Sequence, residues 1–168
     1  RNVPFLSTGE LFRLKLGQGG APAGEYLALE PAARRAYLEQ DLAKRSLDTK
    51  DLDLSLLATP SHIDTIEWFA SARDLCRAMD WLRKATESTK TAPVRAILTI
   101  NPGLEVSKER FDFIGFKGGS ETGVLNLTYL LRAKSGTWYA LSCGWNDPQA
   151  ALEERMLLGI VTRTLGLI

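Results

Sequence analysis

A lysine, two glycines and a serine follow one another at Lys117-Gly118-Gly119-Ser120, inside the run Gly115 to Gly123 that continues through Glu121 and Thr122. These residue types suit the binding of a ligand with an anionic group. Glycines let a ligand come close to the backbone. A lysine at a strand edge supplies a fixed positive charge for a carboxylate, and exposed N–H groups can face a developing oxyanion. By spacing alone the run also reads as a glycine-rich hairpin with a solvated lysine, and that plainer reading comes first.

Other residues offer less. His62 is the single histidine and stands in a Pro60-Ser61-His62 connector with Asp64 two positions on. A loop histidine is most often simply exposed, and no Ser-His-Asp relay can be built without a placed nucleophile. Glu67-Trp68-Phe69 could line a cleft, although aromatics ahead of a helix more often act as a hydrophobic staple. Trp138, Tyr139 and Trp145 read as core or rim, and Asp147 as a helix cap. Cys76 and Cys143 lie far apart with no His or Cys at ligand spacing. That argues against a zinc site, and the pair reads as two buried thiols rather than a disulfide.

The elements that would position these groups come in a clear order. Ser7 and Glu10 form a capping-box pattern ahead of Leu11, Phe12, Leu14 and Leu16, with Gly17 closing the helix. Residues 17–24 hold four glycines and a proline and read as a loop. They lack the Lys-Ser/Thr ending of a phosphate cradle. Pro31 opens a second helix to about Arg45, and 48–60 reads as an extended connector in which Leu52, Leu54 and Leu56 alternate with polar residues, as in a short strand or an extended segment lying on the core. Ser71 and Asp74 start a third helix with Leu75, Cys76, Met79 and Leu82 at helical spacing. A fourth covers Ala92 to Ile100, with a strand as the alternative for its β-branched residues. From Phe111 the period changes to that of strands: Phe111–Lys117, Gly123–Arg132 and Thr137–Gly144. Asp147-Pro148 then leads into a closing helix whose Leu152, Met156 and Ile160 would pack on the sheet.

Helices, then an antiparallel sheet, then one helix make an α+β chain, and three strands are few for 168 residues. The composition, 45% hydrophobic and 24% charged, is that of a chain that buries a core. A net charge of +1 lacks the basic excess that phosphate-backbone binding needs, so nucleic acid is not an expected partner. The richest apolar run, Met156–Val161, is bracketed by Arg155 and Arg163 and is far too short to span a bilayer.

Lys117-Gly118-Gly119, with two strands and a helix after it, resembles the serine β-lactamase and penicillin-binding-protein-like hydrolases, nearest the class A β-lactamase-like branch. That branch carries Lys-Thr/Ser-Gly on a strand edge ahead of two strands and a C-terminal helix. The helix from Ser71, preceded by Trp68-Phe69-Ala70, looks like the family's helix after its Ω-loop region. The resemblance covers about Ile66 to the C-terminus. It implies a β-lactamase-like fold, incomplete here, with residues 1–65 as a helical and connector region and 66–168 as helix, three strands and closing helix. It also implies that Lys117 binds the substrate's acidic group and tunes a serine-lysine pair, and that the Ser120 N–H forms part of an oxyanion hole. Gly118, Gly119 and Glu121 would then touch substrate.

Two departures bear on this. Gly118 replaces the motif's hydroxyl residue, so a contact to the substrate carboxylate falls to the Ser120 hydroxyl. No Ser-x-x-Lys, Ser-Asp-Asn or Glu-x-x-x-Asn occurs in the chain. The expectation is therefore the C-terminal portion of a serine hydrolase acting on an amide, lactam or ester. Its nucleophile would come from an N-terminal portion of the same protein, and this chain alone would be inactive. The implied substrate is a small molecule or cell-wall-like fragment, with no cofactor or metal, in the periplasm or outside the cell. The alternative is a non-catalytic binding module that keeps the fold.

Overall fold

The computed structural model describes residues 2–46, 48–88 and 90–168. Among the described residues six helices, α1 (Thr8–Leu16), α2 (Ala21–Ala28), α3 (Pro31–Gln40), α4 (Ala72–Ala85), α5 (Ala92–Leu98) and α6 (Glu154–Leu167), accompany three strands. The strands β1 (Phe111–Glu121), β2 (Val124–Ala133) and β3 (Trp138–Asn146) form an antiparallel sheet in that order, so the α+β class holds. The chain divides into two compact units, Arg1–Phe69 with Glu121–Gly123 and Asn146–Ala151, and the remainder from Ala70 onward.

In the first unit the Ser7 hydroxyl accepts from the Glu10 N–H while the Glu10 carboxylate accepts from the Ser7 N–H, the reciprocal cap expected for α1. Leu11 and Leu14 turn inward and meet Leu6, Ala23, Tyr26, Leu38, Leu42 and Ile66 in one apolar cluster.

The loop expected over 17–24 is half a helix: after a tight 3-10 turn at Gln18–Gly20, α2 starts at Ala21. Gly20 adopts φ +84°, and Pro22 in the first turn already has the φ a helix needs, so the residues that signal a loop here start a helix. α3 stops at Gln40, and a 3-10 turn at Leu42–Lys44 carries the chain on to Arg45.

The alternating leucines of 52–56 make no strand. Leu52 bridges Gly17 and the Asp53 N–H donates to the Leu16 carbonyl, but the Asp53 carboxylate then takes the Ser55 N–H and opens a 3-10 turn over Leu54–Ala58. The short polar side chains offered the backbone a local partner, and it outcompeted a ladder.

The turn between β1 and β2 belongs to this unit and consists of Thr122 and Gly123. The Thr122 hydroxyl donates to the Leu57 carbonyl, and the Gly123 carbonyl accepts from the Asp147 N–H. Gly123 has φ +82°, and a Cβ there would stand 2.5 Å from the Asp147 oxygen and 2.8 Å from Pro60 Cγ. Gly123→Ala is expected to destabilise the protein by about 2–3 kcal/mol, adding a clash with backbone to left-handed strain. A urea midpoint within error of the parent would refute this.

In the second unit Ser71 and Asp74 form the expected capping box of α4. α4 packs across β2, with Met79 buried, and α6 lies among the opposite-face residues of the same strand. Leu125, Leu127, Tyr129 and Leu131 of β2 meet Leu157, Val161 and Leu165 of α6. Tyr129 is wholly buried; its ring lies 4.8 Å from that of Phe116 and its hydroxyl accepts from the Leu104 N–H.

The closing helix keeps the expected four-residue spacing but in a different phase. The Asp147 carboxylate caps a turn at the Gln149 N–H instead of a helix, and α6 begins only at Glu154. Leu152 still packs on the cluster, whereas Met156 and Ile160 are 60% and 48% exposed. α5 is a helix, not a strand, with Pro93 in its first turn.

β1 is longer than its sequence suggests, running through Gly118-Gly119-Ser120 to Glu121, so those residues lie in the strand and not in the turn. It also holds an extra residue. The Lys134 N–H donates to the Arg110 carbonyl, while Phe116 faces Tyr129. That is six positions along β1 against five along β2. The surplus is a bulge, which explains why Phe111, Ile114 and Phe116 all meet the α6 face while Phe113 stacks on Trp138.

Candidate functional site

β1 is an edge strand, and its register decides what the Lys117–Ser120 segment presents. A two-residue turn pairs Glu121 with Val124, and ladder bonds alternate from there. The N–H groups of Gly119 and Glu121 therefore point to β2, and those of Gly118 and Ser120 point to the open edge. Two outward donors two residues apart, beside a lysine, are the physical content of this segment.

Lys117, Gly118, Gly119 and Ser120 together line a groove of about 720 Å³, whose apolar wall includes Ile97, Leu104, Phe116 and Leu158. Lys117 is the only charged side chain among the lining residues, so the groove favours an anionic group on an apolar body. The Lys117 ammonium donates to the Gly118 carbonyl, which holds it at the strand. Gly118 has no room for a side chain, since a Cβ would meet the Phe116 ring at 2.7 Å, whereas Gly119 faces open space.

Glu121 does not join the groove. Its two carboxylate oxygens each accept from the Lys15 ammonium at 2.8 Å, and the same ammonium donates to Glu67 Oε1 at 2.6 Å. Lys15 is 2% exposed, and Glu67 and Glu121 are 19% and 24% exposed. Burial, reinforced by the neighbouring Glu67, pushes the Glu121 carboxyl up to about 7, against the pull of Lys15.

Sequence reading missed this cluster. The signal was Lys15 four positions after Leu11, on the inward face of α1. A lysine there needs anionic partners, but their positions in the chain could not be read from the pattern.

The remaining candidates are structural. His62 sits in a turn at φ +54°, its carbonyl accepting from the Thr65 and Ile66 N–H groups. Trp68 donates its indole N–H to the Leu6 carbonyl, and Phe69 pairs with the Asn2 side chain. Cys76 and Cys143 are free, half-buried thiols, not fully buried ones, and burial raises Cys143 above the usual thiol range. Among the described residues no helix is long and apolar enough to cross a membrane.

Neither the protein-family models nor the curated proteins match this chain.

Proposed function

We propose that this chain supplies the oxyanion-binding strand of a serine hydrolase of the β-lactamase-like kind, acting on an amide, lactam or ester. The observation that carries this reading is the edge position of β1, with Lys117 and an outward Ser120 N–H on one groove. The order of the Lys117 strand, two antiparallel strands and a helix on the sheet supports it. In mechanism, a serine from an N-terminal portion of the same protein attacks the carbonyl carbon while a lysine beside it takes the hydroxyl proton. The Ser120 N–H and a second donor stabilise the tetrahedral oxyanion, and Lys117 holds the substrate's carboxylate; collapse then breaks the C–N or C–O bond, and the departing nitrogen or oxygen takes the proton that the upstream lysine accepted.

A second reading, a binding module without catalysis, is favoured by the absence of Ser-x-x-Lys and of a hydroxyl at Gly118. Intact-mass spectrometry of the full-length gene product after incubation with a penicillin separates the two. The hydrolase reading expects a mass increase of one acyl group or turnover of the lactam. Neither adduct nor turnover, followed by the same result with ester and amide substrates, would leave the binding module.

A further inference from the structure

The Lys15 cluster ties three separate pieces of chain: α1, the connector before α4, and the last residue of β1. Its charges do not balance, because one buried ammonium faces two carboxylates that are themselves only partly open to water. Neutrality requires one further proton on the carboxylate pair. We propose that Lys15, Glu67 and Glu121 act as a proton-operated clamp on the β1–β2 turn, closed when the two carboxylates share one proton around the Lys15 ammonium and loosened when that proton leaves.

The surroundings leave the cluster to itself. Glu10 and Arg13 on α1 are engaged with Arg35 and with the Arg45 carbonyl. Asp53 caps its own turn at Ser55, and Asp147 caps Gln149. His62 and Asp64 precede Glu67 on the connector, and among the described residues no side-chain hydrogen bond joins either to the cluster. The charges that act on Glu121 are those of Lys15 and Glu67. The turn that Glu121 enters is fastened otherwise by the Thr122 hydroxyl and the Gly123 carbonyl, both neutral groups. A proton is thus the one variable in what holds it. This inference stands apart from the hydrolase reading and survives its failure.

The test is a carbon-detected NMR titration of the glutamate carboxyls in the whole chain, assigned through their own side-chain and backbone correlations, beside the amide signals of 121–123. The Glu121 carboxyl is expected to titrate near neutrality, with the turn amides moving at the same midpoint. In Glu67→Gln, where Lys15 faces one carboxylate, that midpoint is expected to fall by about one pH unit. A wild-type Glu121 midpoint near the ordinary glutamate value of about 4.3 overturns the proposal, as do turn amides that ignore the titration. The wild-type spectra alone decide these two outcomes, so a variant that folds poorly does not spare the idea.

Discussion

Replacing Lys15 with Ala is expected to destabilise the protein by about 3–5 kcal/mol at pH 8 and by roughly 2 kcal/mol at pH 4. At pH 8, above the Glu121 value, the substitution removes the ammonium that both carboxylates face, and Glu121 must either stay charged without it or take up a proton. Buried carboxylates that lose their only counter-ion cannot regain full hydration, and the penalty is that of an uncompensated charge. At pH 4 the Glu121 carboxyl carries its proton, so less attraction is lost and the buried methylene stem of the lysine makes up most of the cost. Urea unfolding at the two pH values measures the difference. Equal costs at both would mean that Lys15 matters through packing alone.

The unmutated protein should show the same cluster in its own pH profile. Glu121 has a folded pKa near 7 against about 4.5 for the free group, so the folded state holds the proton more tightly. Stability from this group is fully present below the lower value and declines as pH rises to the upper one, by at most about 3 kcal/mol. The exposed carboxyls work in the opposite sense. Glu25, held by Arg45, Asp74 by Ser71, Asp80 by Lys84 and Asp112 by Lys134 all lie below their ordinary values. Their contribution is lost only as pH falls below about 4. The two windows do not overlap, so Glu121→Gln should flatten a decline between pH 5 and 7 and leave the acid limb in place.

Local rules in the sequence were legible where one residue type had one use. Ser7 with Glu10 and Ser71 with Asp74 start helices because the side chain and the N–H it satisfies lie in the same turn. The strands from Phe111 onward follow from their β-branched and aromatic residues. What failed depended on competition or on phase. Asp53 and Ser55 turned an alternating leucine segment into a 3-10 turn, and Pro22 with Gly20 converted a glycine-rich stretch into the start of α2. Moving the start of α6 to Glu154 rotated its buried stripe from Met156 and Ile160 to Leu157, Val161 and Leu165. At the site, Lys117 and Ser120 were legible as an unusual local run. The partner of Glu121 was not, because Lys15 lies over a hundred positions away and only the tertiary fold brings them together.

If the chain acts in the serine hydrolase proposed above, Ser120→Pro in the full-length protein is expected to lower kcat/KM for acylation by about 10²–10³-fold, while Ser120→Ala loses about tenfold or less. The contrast follows from the register of β1. Proline lacks an N–H, and at most strand positions that would break a ladder bond. The Ser120 N–H faces the open edge, the one place in a sheet where proline is tolerated, so the loss falls on the oxyanion and not on the fold. Alanine keeps the N–H and removes only the hydroxyl, whose expected contact is with the substrate carboxylate, so its effect should appear in KM rather than kcat. Gly119→Pro is the internal control for geometry. Its N–H points to β2, and it should lower the urea midpoint where Ser120→Pro does not. Acylation rates for the two Ser120 variants that agree within threefold would remove the Ser120 N–H from the mechanism. The Lys117 strand would then stand as a binding edge alone.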